Sequence, residues 1–185
     1  MFNSLFLMID YLPHSLNIDI MNISQEKYFG LTKRQRATIT LHGMLVIVVG
    51  SFAGFAWLIS LCGSLELWPI PPIELSLPDQ KELWRNAHLG PIGHGMIILL
   101  IAALAPLLKL TKREASIMVY ATLVEVWFNV LGFQSAPYTT NRGLTADGSF
   151  INIFSYSTFY VAVMASFVIL TLSIMGSYRT MKTIN

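Results

Sequence analysis

The sequence is poor in almost everything a soluble domain relies on. Charged residues make up only 12% of its 185 residues, against about 25% in an ordinary soluble domain. A single cysteine, Cys62, excludes an intrachain disulfide and any cysteine cluster that could hold zinc or an iron–sulfur centre. It lies in an apolar run and is expected to be an inert core thiol. No basic patch with interleaved aromatics points to nucleic acid, and a formal net charge of +2 says little about partners. There is no internal repeat and no low-complexity tract. Apolar residues are in excess, at 54%. Several long apolar runs place the chain in the membrane class, and its length suits one domain.

Four runs predict four transmembrane helices, at about 39–65, 87–110, 115–134 and 151–178. Each meets the need for about 20 residues to cross a bilayer as a helix. The expected fold is an all-α, integral membrane four-helix bundle over 39–178. A cytoplasmic arm (1–38) precedes it and a short tail (179–185) follows. Charge placement sets the expected orientation. Lys27, Lys33, Arg34 and Arg36 precede the first span. Lys109, Lys112 and Arg113 separate the second from the third, and Arg179 and Lys182 follow the fourth. The other two loops are acidic or nearly neutral. The positive-inside rule therefore predicts a multi-pass protein with both termini in the cytoplasm. The first outward loop, Trp68-Pro-Ile-Pro-Pro72, is expected to be stiff and extended, with Trp68 and Trp84 at the membrane interface. The first 25 residues are apolar at the start but broken by Asp10, Pro13 and Asp19, and are expected to lie on the membrane surface.

The polar residues inside the spans carry the chemistry, because burying them in lipid without partners is costly. His88 and His94 open the second span among Gly90, Gly93 and Gly95. Those glycines permit close approach of another helix or of a flat ligand. Six residues apart on a helix, the two imidazoles stand about 120° and about 9 Å from each other, so they cannot share one metal within a chain. Either one is a ligand and the other is not, or they meet between subunits. The plainer alternative makes His88 an interfacial residue beside Arg85 and Asn86. Pro91 is expected in the first turn of a helix beginning near Ala87 or His88. Glu125, Asn129 and Phe133 form one stripe in the third span. They are either a hydrogen-bonded helix contact or part of a site. His42 is expected to be structural, and Gly50-Ser-Phe-Ala-Gly54 to be a helix-packing pattern. Arg142, in the second outward loop, can fork onto a carboxylate.

Together these anchors resemble the bacterial styrene oxide isomerases. The resemblance rests on Leu41-His42-Gly43-Met44, Trp84-Arg-Asn-Ala-His88-Leu-Gly-Pro91 with Gly95-Met96, Trp127-Phe-Asn129-Val130, Asn141-Arg-Gly-Leu-Thr145 and Ile153-Phe-Ser155. It implies a homotrimer in the bacterial plasma membrane with haem b at each subunit interface and His88 as the iron ligand. The ferric iron would act as a Lewis acid on an apolar epoxide, and a 1,2-hydride shift would give an aldehyde. Trp127 and Arg142 would help to hold the cofactor, Arg142 through a propionate. His94, Asn129, Phe133 and Glu125 would face or support the substrate.

The chain departs from the family at three of these positions. His94 stands for an asparagine, Phe133 for a tyrosine and Glu125 for an aspartate. The first two departures remove groups credited with orienting the epoxide. His94 also raises a second expectation, a redox or gas-sensing haem protein of the same fold, with His94 either ligating the neighbour's iron or standing over an open position. A haem-free scaffold with packed histidines is the third.

Overall fold

The computed structural model describes residues 30–184; the expectations for 1–29 lie outside them. Four long apolar helices run up and down, each long enough to cross a membrane: α1 Lys33–Cys62, α2 Lys81–Leu104, α3 Lys112–Ser135 and α4 Phe150–Ile184. Thr32 and Gln35 start α1 with a reciprocal capping box, and Gly63 ends it in the left-handed conformation at φ 80°. Thr111 and Glu114 cap α3 in the same way. Helices α2 and α3 both run out into a single 3-10 turn containing a proline, Ala105–Leu107 and Ala136–Tyr138. A proline supplies no N–H for the carbonyl one turn back, so the α-helical ladder stops there.

Four expectations need correction or refinement. Helix α2 begins at Lys81, so Pro91 lies inside it and His88 sits about two turns in. The interior proline is tolerated because Gln134 Nε2 donates to the Ala87 carbonyl at 2.9 Å, replacing the bond Pro91 cannot make. The first loop is extended but paired: β1 (Ser64–Leu67) and β2 (Ile70–Glu74) form a small antiparallel hairpin. Trp84 is buried, with Nε1 donating to the Pro78 carbonyl at 3.1 Å, whereas Trp68 is fully exposed at the hairpin tip. Cys62, the last residue of α1, is exposed rather than in the core.

Helix α3 is the most buried of the four and packs on α1, α2 and α4. The main apolar core lies toward the end opposite the hairpin, around Ile39, Ile98, Leu110, Met118 and Ile169. That end is also clasped. Arg179 forks onto Glu114 at 2.6 and 2.9 Å, and Thr180 donates to the Leu107 carbonyl at 2.7 Å. Toward the hairpin end the apolar cluster is small, built on Ala53, Trp84 and Ala87. The polar and aromatic residues gather in this less tightly filled half.

Candidate functional site

The two imidazoles of α2 face different neighbours. His88 turns toward α1, where its Nδ1 lies 2.8 Å from the Gly50 carbonyl oxygen. A carbonyl only accepts, so Nδ1 carries a proton, and Nε2 is the ring nitrogen left to serve as a ligand when the imidazole is neutral. Trp57 stacks on the ring at 5.7 Å between centroids. Two glycines make the seat. A Cβ at Gly54 would stand 2.9 Å from His88 Nδ1, and one at Gly50 would stand 2.9 Å from the His88 carbonyl oxygen. The Gly50-xxx-Gly54 pattern therefore serves both as a helix contact and as a slot for an imidazole.

His94 turns toward α3. Its Nδ1 lies 2.6 Å from Glu125 Oε1. Asn129, one turn after Glu125, donates from Nδ2 to the same oxygen at 2.8 Å. The amide also lies 3.3 Å from His94 Nδ1, where the shared acceptor Oε1 brings two donors side by side. Phe133 closes the group. Its ring lies 5.8 Å from that of His94 and 5.1 Å from that of Phe159. It also fills the space over Gly90, where a Cβ would come within 2.6 Å of the ring. A Cβ at Gly93 would meet none of the described residues, and Gly95 lets α1 approach through Ile47 and the Gly43 carbonyl.

Beyond Phe133 a cleft of about 540 Å³ lies among α2, α3, α4 and the loop between the last two. Phe133, Tyr156, Phe159 and Tyr160 line it, with exposed Glu82 and Arg142 at its edge. Arg142 Nη2 lies 3.9 Å from Glu82 Oε2, and both side chains are largely exposed, so the pair is weak. The loop is closely specified. Arg142 and Gly143 both take positive φ, at 64° and 68°, and a Cβ on Gly143 would collide with the Ser155 hydroxyl. Asn141 donates to the Thr145 carbonyl and to Asp147. The Thr145 hydroxyl and then the Asn141 amide hold the Asp147 carboxyl below its ordinary range.

The structure thus brings together His94, Glu125, Asn129 and Phe133. His88 stands apart, against α1, and Arg142 stands at the cleft edge. Trp127 joins neither group: its Nε1 donates to His42 Nδ1 at 2.9 Å. Sequence reasoning missed Trp57, Gln134, Phe159 and the tyrosines of the cleft. A signal existed for two of them. Trp57 extends the Gly50 and Gly54 stripe by one turn, and a polar Gln134 ends an apolar run while Pro91 leaves a carbonyl unpaired on a neighbouring helix.

Among the described residues, no three His, Cys, Asp or Glu side chains come together to hold a metal ion. A single imidazole can hold a metal whose other ligands come from a macrocycle such as a porphyrin. His88 suits such a group: its Nδ1 is tied to a backbone carbonyl, and its Nε2 has no hydrogen-bond partner among the described residues.

Comparison with known proteins places the chain among relatives. A curated styrene-oxide isomerase from Pseudomonas fluorescens is 29% identical over 104 residues, covering 56% of this chain and 62% of that protein. The chain therefore aligns with somewhat less than two thirds of that relative's length. The family described as styrene oxide isomerase matches residues 35–178, which include all but the ends of the four helices together with His88, the His94 cluster and the Asn141–Thr145 loop. The chain belongs to the styrene oxide isomerase family.

Proposed function

We propose that the protein is a haem b-dependent membrane isomerase that converts an apolar aryl epoxide to an aldehyde. The observation that carries this reading is the setting of His88: Nδ1 tied to the Gly50 carbonyl, the ring stacked on Trp57, and Nε2 without a hydrogen-bond partner among the described residues. His88 would hold the haem through Nε2. Haem, when bound, supplies a Lewis-acidic ferric iron for the epoxide oxygen. The rest falls to the chain itself. Phe133 and Phe159 offer aromatic faces to positive charge developing at a benzylic carbon. The apolar surroundings keep water from that carbon. His94, Glu125 and Asn129 form the polar edge of the substrate site. Arg142, only weakly engaged by Glu82, is suited to a haem propionate. Trp127 keeps a packing role here, since its N–H is used on His42.

The assembly in this reading is a homotrimer in the bacterial plasma membrane. It is supported by what the described residues leave open: among them α1, α2 and α4 each bury only about a quarter of their most apolar stretch, and a Cβ at Gly93 would meet nothing. Cytoplasmic termini are supported by the gathering of Lys33, Arg34, Arg36, Lys112, Arg113 and Lys182 at the end away from the hairpin.

Purified protein given styrene oxide under oxidising conditions should yield phenylacetaldehyde. No carbonyl product from a panel of aryl and alkyl epoxides would contradict the reaction class. A redox or gas-sensing haem protein is the second reading, favoured by an imidazole at position 94. It predicts reversible carbon monoxide binding to reduced haem without any isomerised product.

A further inference from the structure

The cluster on the α2–α3 side contains a proton that has somewhere to go. His94 and Glu125 meet deep within two long apolar helices, where an isolated charge is expensive. A net-neutral pair avoids that cost. Such a pair, whether acid with imidazole or carboxylate with imidazolium, holds two protons. One lies on the short line between Oε1 and Nδ1, 2.6 Å long. The other can sit on Glu125 Oε2 or on His94 Nε2.

Burial decides between them. The Glu125 side chain is only 7% exposed, and Oε2 has no hydrogen-bond partner among the described residues. A proton there would be a buried donor without an acceptor, which is costly. Unpaired acceptor oxygens are tolerated somewhat better than unpaired donors. His94 is 28% exposed, and its Nε2 has no hydrogen-bond partner among the described residues. The second proton therefore belongs on Nε2. Asn129 fixes the carboxylate by donating to Oε1 at 2.8 Å, and Phe133 borders the imidazole at 5.8 Å. The result is a single N–H donor presented beside an aromatic wall, with a carboxylate behind it.

We infer that the His94–Glu125 pair is a proton shuttle for the epoxide oxygen, with His94 the group that touches substrate and Glu125 its positioning residue. The inference rests on the isomerase reading above. In the forward step the Nε2–H bond breaks and an O–H bond forms as the benzylic C–O bond opens, its electron pair staying on oxygen. A hydride then migrates from the neighbouring carbon with its electron pair, leaving a protonated aldehyde. That O–H proton returns to Nε2, and the pair is restored. Nothing is oxidised or reduced overall, and no co-reactant enters. An epoxide oxygen has two lone pairs, so a proton donor and a Lewis acid can act on it together.

The test uses the haem-loaded, full-length protein in lipid nanodiscs with acetophenone as an unreactive oxygen probe. The infrared carbonyl band of bound acetophenone should move to lower wavenumber in the wild type and shift part of the way back toward its hydrocarbon position in His94→Phe. His94→Gln keeps an N–H donor but cannot relay a proton. It should retain the shifted band while losing about 100-fold or more in kcat. Glu125→Gln should lose activity and Glu125→Asp should recover much of it. A band that is unshifted in the wild type, or equally shifted in His94→Phe, overturns the inference. So does a kcat unchanged in His94→Gln, and so does a wild-type ferric spectrum showing His94 already bound to iron. Aldehyde formation that survives these substitutions sinks the shuttle and leaves the isomerase reading standing. A band shift that His94→Phe reduces, with no epoxide turned over, supports the donor and sinks the isomerase reading.

Discussion

A few atoms decide what His88 can do. The Gly50 carbonyl sets its tautomer, and the missing side chain at Gly54 leaves room for its ring. Gly54→Ala would push a methyl group to within 2.9 Å of Nδ1. Partners that orient a metal-bound histidine are commonly worth about 10–100-fold in affinity. Gly54→Ala should therefore weaken haem binding on that scale while the helices stay folded, as measured by haem titration and by circular dichroism. Gln134 offers a second test at this scale. Gln134→Leu leaves the Ala87 carbonyl without a partner and should cost about 1–3 kcal/mol, read from thermal unfolding in detergent. Pro91→Ala restores a backbone N–H for that carbonyl. The double variant should regain part of the loss, and simple additivity of the two changes would contradict the account.

Among the elements, the four helices were legible because their apolar runs are long and charge-poor. Their caps were legible in principle, since Thr32 with Gln35 and Thr111 with Glu114 are capping boxes written in the sequence. The start of α2 was misread. Pro91 suits a first turn as well as a compensated interior, and only the tertiary bond from Gln134 distinguishes the two. The hairpin was hidden because three prolines in Trp68-Pro-Ile-Pro-Pro72 argue against pairing unless the strands are at an edge, as these are. Glu125 and Asn129 were seen as one stripe because their contact lies within one helix. The partnership of Glu125 with His94 depends on how α2 and α3 are set against each other, which the sequence of neither helix states. The same is true of Arg179, whose partner Glu114 lies 65 residues away. Arg179→Ala breaks a charged, two-pronged bond and should lower stability by about 1.5–3 kcal/mol. Its effect should appear in the melting temperature and leave the haem spectrum unchanged, because the clasp lies at the end opposite the hairpin.

Across the whole molecule, packing and chemistry concentrate toward different ends, and the main core reaches as far as Val126 and Val130 beside Glu125 and Asn129. The end away from the hairpin holds the apolar core and the clasp, and the hairpin half holds the two histidines, the aromatic cleft and the Asn141–Asp147 loop. Orientation in the membrane is open to direct test. Cys62, the sole cysteine, is exposed at the hairpin end of α1. In spheroplasts a membrane-impermeant maleimide should label it from outside, and labelling only after lysis would reverse the proposed topology. The central claim is that His88 Nε2 holds the iron of a haem. The most direct measurement is the Soret absorption of protein purified from haem-replete cells, compared with His88→Gly before and after adding free imidazole. A strong band in the wild type, lost in the variant and restored by imidazole, is the predicted result. A wild type isolated folded but colourless, or a variant with an unchanged spectrum, would contradict it.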